Sequence, residues 1–314
     1  MVGHPSDQPG LRRRALVAAG FGIWLAGCQT VPKPAPPPAI PTNPNPPPPQ
    51  IAAPPPKPVR IGLALGGGAA RGFAHIGVIQ ALEESGLRPD LVVGTSAGSV
   101  VAALYASGKG GKELAALADT MDETAFTDWS FPGRGLIRGE ALARYVREQT
   151  GGRAIDQMKM PLGIVATDLD SGQAILFQRG DTGMAVRASS AVPAVFQPVR
   201  IGTHEYVDGG LVAPVPVRFA RQMGADIVIA VDILAPPEGN ATGDAMRMLL
   251  QTFAIMGRSI NSLELREADI VLRPRLNGFA SADFSNRKAS IAAGRVAMLA
   301  QLGELRARIA AKSQ

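Results

Sequence analysis

Histidine is nearly absent from this chain: His4, His75 and His204 are the only three among 314 residues. Chemistry that moves protons through an imidazole therefore has few places to reside, although serine hydrolases ordinarily rely on such a ring. Aromatic residues make up only 5% of the sequence, and no basic face carries interleaved aromatic side chains. Nucleic-acid binding is left without support. Cysteine occurs once, at Cys28, and the apolar run just before it is too short to span a bilayer.

That run has a meaning of its own. The opening MVGHPSDQPGLRRRALVAAGFGIWLAGCQT sets a basic patch at Arg12–Arg14 before an apolar stretch that ends in Leu25-Ala26-Gly27-Cys28. This is the pattern of a secretory signal peptide, and the three arginines also admit a twin-arginine reading. The last four residues resemble the lipobox of bacterial lipoproteins, in which the cysteine is lipidated and becomes the mature N-terminus. The expectation is a signal peptide over 1–27 and a lipid anchor at Cys28. Gln29 is not the aspartate that retains many such lipoproteins at an inner membrane. The expected location is thus the bacterial cell envelope, on an outer membrane facing the periplasm where two membranes exist.

Fifteen of the 27 prolines fall between Pro32 and Pro58. So dense a tract supplies few amide donors and favours extended polyproline conformation, at roughly 3.1 Å per residue, over a packed core. Residues 28–58 therefore read as a tether. Residues 1–27 hold three arginines and one aspartate, so their removal lowers the formal charge from +6 to +4, and Lys33, Lys57 and Arg60 lower it to +1 for the remainder. The basic balance belongs mostly to leader and tether. Residues 59–314 are long enough for one large domain with a sizeable core.

That domain opens with VRIGLALGGGAARGFAHIGVIQALEESGLRPDLVVGTSAGSVVAALYASG. An apolar run, a glycine turn, an amphipathic segment with Ile76, Ile79, Ala81 and Leu82, and a second apolar run form a βαβ pattern. Further apolar runs at Leu162–Ala166, Ile227–Val231 and Ile270–Leu272 continue an α/β alternation. Within LVVGTSAGSV, residues 91–100, Ser96 lies between Gly94 and Gly98 at the spacing G-x-S-x-G, at a corner from strand to helix. Glycine-flanked serines also cap helices and line turns. The turn GGGAARG, residues 66–72, can aim backbone amides at an anion. A nucleotide phosphate fits it poorly: the G-x-G-x-x-G spacing fails, no Walker lysine follows, and the second strand ends in the serine corner instead of an acidic residue. The oxyanion of an ester under attack fits better. A third stretch, HEYVDGGLVAPVPV at 204–217, puts Asp208 before Gly209 and Gly210.

GGGAARG, GTSAG and DGG in this order resemble the patatin-like phospholipase family, and RASSAVPAVFQPV at 187–199 is similar to the stretch before the aspartate in its bacterial members. The resemblance covers essentially residues 61–300. It implies an α/β three-layer fold with a mainly parallel sheet between helices, and a serine–aspartate dyad that needs no histidine. On it Ser96 is the nucleophile and Asp208 the base, and membrane lipids are both substrate and anchor surface. The oxyanion would rest on the turn containing Gly67, Gly68, Ala69 and Arg71, the arginine adding positive potential or holding the loop. Aligned on Arg71 and Gly72, the family's glycine triplet becomes Gly67, Gly68 and Ala69, and alanine enters left-handed backbone at a cost that glycine avoids. No metal or cofactor is required by these residues.

Rival readings attach to specific residues. Ser96, then Asp168 or Asp170, then His204 reproduces the chain order of a conventional α/β-hydrolase triad, and a silent lipid- or protein-binding lipoprotein is a non-enzymatic alternative. His75 is expected on a helix face beside the glycine turn. The Met- and Leu-rich segment 245–268 reads as a helix packed on the sheet. Residues 109–150, with Trp129, Phe131 and Gly135, could form a lid.

Overall fold

The computed structural model describes residues 33–36, 58–121, 128, 134–235, 243–278 and 283–313. Cys28, most of the tether, Trp129 and Phe131 lie outside the described residues. The chain divides into Met1–Ala53 and Pro54–Gln314; in the first, the described residues 33–36 carry no helix or strand.

In the second unit the elements run β1 (Ile61–Leu65), α1 (Phe73–Glu84), β2 (Leu91–Thr95), α2 (Ala97–Ala106), α3 (Gly111–Thr120), β3 (Gly135–Ile137), α4 (Glu140–Gln149), β4 (Leu162–Asp168) and β5 (Ala174–Phe177). They continue as α5 (Thr182–Ser189), β6 (Ala194–Phe196), β7 (Val199–Ile201), β8 (His204–Asp208), α6 (Val217–Gln222), β9 (Ile227–Val231), α7 (Ala245–Glu264), β10 (Ile270–Leu272) and α8 (Arg287–Lys312). Among the described residues, eight strands form one sheet in the order β10-β9-β1-β2-β4-β8-β7, with β5 also on β4. Neighbours from β10 to β4 are parallel, whereas β5, β8 and β7 pair antiparallel.

The apolar runs lack period-two alternation because both faces of the parallel strands are covered. Leu63, Leu65, Ile227, Ile229 and Val231 pack with residues of α1, α2 and α8. Ala64, Val228 and Ala230 face the other way, onto Val217, Phe219 and Ala220 of α6. This is the expected three-layer arrangement. The centre of the segment considered for a lid, residues 122–127 and 129–133, lies outside the described residues; on its flanks α3 buries Leu114 and Ala118, and β3 pairs with β6.

The sequence reading did not anticipate α8, whose mixed composition hides its role. It crosses α1 through two glycines. A Cβ on Gly77 would collide with the Ile291 carbonyl, and one on Gly294 with the Ala74 carbonyl. Backbone-to-backbone approach of this kind leaves a methyl group no room. Gly77→Ala and Gly294→Ala should each lower unfolding free energy by about 1–3 kcal/mol. Gly303 lies on the same helix with nothing near its missing Cβ, so Gly303→Ala should raise stability by about 0.5–1 kcal/mol. Urea titration of the three variants checks both signs.

Candidate active site

Strand β4 changes partners along one edge. β2 pairs with it as far as Thr95 opposite Val165, while β5 holds the opposite edge, Ile164 facing Phe177. One residue further on, Ala166 faces Asp208 of β8. The residue that follows β2, Ser96, and the residue that ends β8, Asp208, therefore meet where one strand stops and the other begins.

Ser96 sits in a strained turn, with φ 52° and ψ −124°. A non-glycine residue there costs on the order of 1–3 kcal/mol unless its surroundings enforce it. They do so through hydrogen bonds: the Ser96 amide donates to Ser189 Oγ at 2.9 Å, Ser189 Oγ donates to the Val165 carbonyl at 2.5 Å, and Ser99 Oγ donates to the Ser96 carbonyl at 2.6 Å. The corner is also tight. A Cβ on Gly94 would collide with the Gly98 carbonyl, and one on Gly98 with the Leu65 carbonyl. Ser189 was not singled out from the sequence, although its stretch, RASSAVPAVFQPV, was.

Asp208 is 6% exposed. Its Oδ1 accepts the Gly210 amide at 2.7 Å, and its Oδ2 has no partner. Burial pushes its pKa up to about 6, opposed by the Ser96 hydroxyl and the Gly210 amide. The carboxylate thus feels the serine, while Oδ2 remains free of a formed hydrogen bond. Its backbone is fixed on both sides, the carbonyl accepting Thr167 Oγ1 at 2.8 Å and the amide donating to Ala191 O at 2.9 Å. Gly209 fits against the Val165 carbonyl, where a Cβ would collide.

The glycine turn divides its amides. Gly66 donates to Val231 O at 3.1 Å and Gly67 to Pro214 O at 2.9 Å. Gly67 is thereby removed from the expected set of oxyanion donors; it serves by having no side chain, since a Cβ there would lie 3.1 Å from that of Ser96. Among the described residues the Gly68 and Ala69 amides find no acceptor. Ala69 has φ 50°, so it does adopt the left-handed backbone, at a cost of about 1–2 kcal/mol. Arg71 closes the turn, its amide donating to Gly68 O at 3.1 Å. Its side chain is buried, with Nε unpartnered and a pKa lowered by desolvation against the pull of Asp232. His75 is fully buried beneath the turn, and burial pulls its pKa down to about 4. The neutral ring donates through Nε2 to the Gly66 carbonyl at 2.8 Å, so it holds the loop.

His204 goes elsewhere. Its Nδ1 lies 2.9 Å from Asp168 Oδ2, and its side chain is 55% exposed. Along β8 it is four residues from Asp208, about 13 Å at strand rise. The ring pairs with Asp168, and no hydrogen bond joins it to Ser96 among the described residues. Amides of Ser171 and Asp170 hold the Asp168 carboxyl below the usual range, anchoring it in the β4–β5 turn. Asp168, Asp170 and His204 each bring a ligand atom within 4.8 Å of the others, but this cluster is separate from the serine corner.

Comparison with known proteins identifies the family and the fold. The family model for patatin-like phospholipases matches residues 63–221. An uncharacterised NTE family protein of Mycobacterium tuberculosis is 37% identical over 207 residues, covering 65% of this chain and 57% of that one. The mouse patatin-like phospholipase domain-containing protein 6 is 34% identical over 198 residues, 59% of this chain and 14% of its own. The chain thus spans about half the length, or less, of the curated relatives it matches. VipD of Legionella pneumophila shares the fold, with a TM-score of 0.56 at 16% identity over 79% of this chain and 67% of that one. With the family model matching half of its length and the motifs converging on one corner, this chain belongs to the patatin-like phospholipase family.

Proposed function

We propose that the protein is a membrane-tethered serine acyl hydrolase that cleaves acyl esters of phospholipids or related lipids through a Ser96–Asp208 dyad. One observation carries the reading: a buried carboxylate, whose pKa burial pushes up, interacts with a strained serine and keeps one oxygen free. Ser96 Oγ attacks the ester carbonyl as its proton passes to Asp208 Oδ2. The tetrahedral oxyanion is met by the Gly68 and Ala69 amides, one such donor being worth roughly 3–4 kcal/mol of barrier. Asp208 then gives the proton to the departing alkoxide, leaving an acyl-serine. Water then attacks the acyl carbon as its proton passes to Asp208, and Asp208 delivers that proton to Ser96 Oγ as the acyl–oxygen bond breaks and the carboxylic acid leaves. Cys28 would carry the lipid anchor and residues 28–58 the tether, placing the site at the bacterial cell envelope, on the periplasmic face of the outer membrane where there are two membranes.

Asp208→Asn retains the acceptor for the Gly210 amide but no base. Fluorophosphonate labelling of Ser96 and ester turnover should both fall about 10²–10⁴-fold, while His204→Ala retains most of both. A folded but inactive His204→Ala would overturn the dyad.

The pH dependence has two opposite signs. Activity needs ionised Asp208, so kcat/KM should rise through about pH 6 and level above it. Stability runs the other way. A carboxyl whose pKa is raised from 3.8 to about 6 contributes fully below the unfolded value and loses that contribution as pH rises through the folded one. At pH 8 the ionised group costs about 3 kcal/mol. Asp208→Asn should therefore melt higher than the parent at pH 8, with the gap narrowing as pH falls from about 6 to about 4 and closed below that.

The tether carries its own expectation. Deleting residues 28–58 from the processed protein should reduce hydrolysis of phospholipid vesicles and leave soluble short-chain esters unaffected; equal losses on both would assign the segment another role.

A further inference from the structure

Nine large apolar side chains are exposed among the described residues, and five of them lie on α7: Met248, Leu250, Ile255, Met256 and Leu263. The sequence suggested a helix packed on the sheet. Only its second half is packed, and there against the segment from Pro214 to Arg218 and Leu234 instead of the strands. Gly257 packs by Pro214 and Leu234, Asn261 Oδ1 accepts the Val215 amide at 3.1 Å, and Glu264 pairs with Arg218. None of residues 245–256 is buried.

The topology explains why. β9 and β10 are parallel neighbours, so the helix between them runs back against the strands, and its first residues lie at the strands' C-terminal end. Ser96 leaves β2 at that same end. The twelve residues before Gly257, about 18 Å of helix, extend beyond the sheet beside the segment whose Pro214 carbonyl straps Gly67. Met248, Thr252, Ile255, Met256, Ser259 and Leu263 follow one another at helical spacing along the outward face.

The charges around this face have one dominant sign. From Ala245 to Leu263 the helix contains Arg247 and Arg258 and no carboxylate. Arg247 shares its charge with Asp244 at 3.6 Å. Arg273 and Arg275, exposed just past the end of β10, stand at the same end of the sheet, the former reaching Asp232 at 3.5 Å. Arg258 and Arg275 have no carboxylate partner among the described residues.

We infer that the first half of α7 is a membrane-docking element, which enters the headgroup region of an anionic bilayer and holds the Ser96 end of the sheet against its lipid substrate. The inference rests on the lipid-hydrolase reading for its purpose, but the docking itself follows from the surface. An apolar strip with methionines, rimmed by arginines, has the composition of a helix lying in a membrane interface.

The test reads the helix separately from the anchor. In the full chain carrying Cys28→Ser, a single Ile255→Cys is labelled with an environment-sensitive fluorophore; a control label sits at Val296→Cys, which is exposed on α8. Vesicles of phosphatidylcholine with and without phosphatidylglycerol carry lipid-borne quenchers. The Ile255 label should shift blue and be quenched on the anionic vesicles, at least tenfold less avidly on the neutral ones, while the Val296 label does not respond. Separately, Met248→Ser/Ile255→Ser/Met256→Ser should lose at least tenfold in vesicle hydrolysis and nothing on a soluble ester. An unresponsive Ile255 label in protein whose Ser96 still reacts with fluorophosphonate would overturn the docking and leave the proposed chemistry standing. A docked helix with inert Ser96 would do the reverse. A blue shift that grows with protein concentration and needs no vesicles would assign the face to a second copy of the chain and overturn the inference.

Discussion

A carboxylate kept out of water at the point where β8 replaces β2 on the edge of β4 is the constraint on which the rest of the site depends. Because both residues belong to strand ends, their juxtaposition is set by ladder register, Thr95 to Val165 and Ala166 to Asp208. No flexible loop has to bring them together. The glycines then follow from lack of space: Gly94, Gly98 and Gly209 each occupy a place where a methyl group would strike a carbonyl. Such a site is held by the most rigid part of the fold, which is what small tolerances in reacting geometry demand.

The local costs cluster around that corner. Ser96 and Ala69 have positive φ, and Arg71 Nε, His75 Nδ1, Ser190 Oγ and Asp208 Oδ2 are buried without partners. Each is unfavourable by on the order of 1–3 kcal/mol. The surrounding sheet, covered on both faces by continuous apolar packing, supplies the stability that lets them persist. Two of the three non-glycine residues with positive φ among the described residues belong to this corner and its glycine turn, the third being Ala194, and departures from local preference are expected of a functional site more than of a folding scaffold.

Much of this was legible before the fold was known, for identifiable reasons. The runs Ile227–Val231 and Ile270–Leu272 coincide with β9 and β10, because strands buried on both faces announce themselves by continuous apolarity. The elbow was legible because its glycines are imposed by close approach within a few residues of Ser96. What the sequence concealed depends on partners far along the chain. Gly67 looked like an oxyanion donor until Pro214, 147 positions away, was found to accept its amide. Ser189 holds the Ser96 amide across 93 positions, with no spacing rule to announce it. For α7, helical periodicity was visible, but which half would find partners was not, since those partners, Pro214, Val215 and Arg218, lie more than 40 positions away along the chain.

The scarcity of histidine acquires a physical explanation in these terms. An exposed carboxylate with a pKa near ~4 is a poor base toward a hydroxyl, and an imidazole near ~6.5 is a better one. Burial carries Asp208 to about 6, most of the way to imidazole basicity, without changing the residue. A triad uses its third member to fix the ring's tautomer and orientation. A carboxylate has no tautomer to fix. Its orientation is set by the Gly210 amide on Oδ1, and its backbone by Thr167 and Ala191. In the proposed mechanism the unpartnered Oδ2 is then the direct counterpart of the free ring nitrogen, and His204, paired with Asp168 on the hairpin, has no proton to carry.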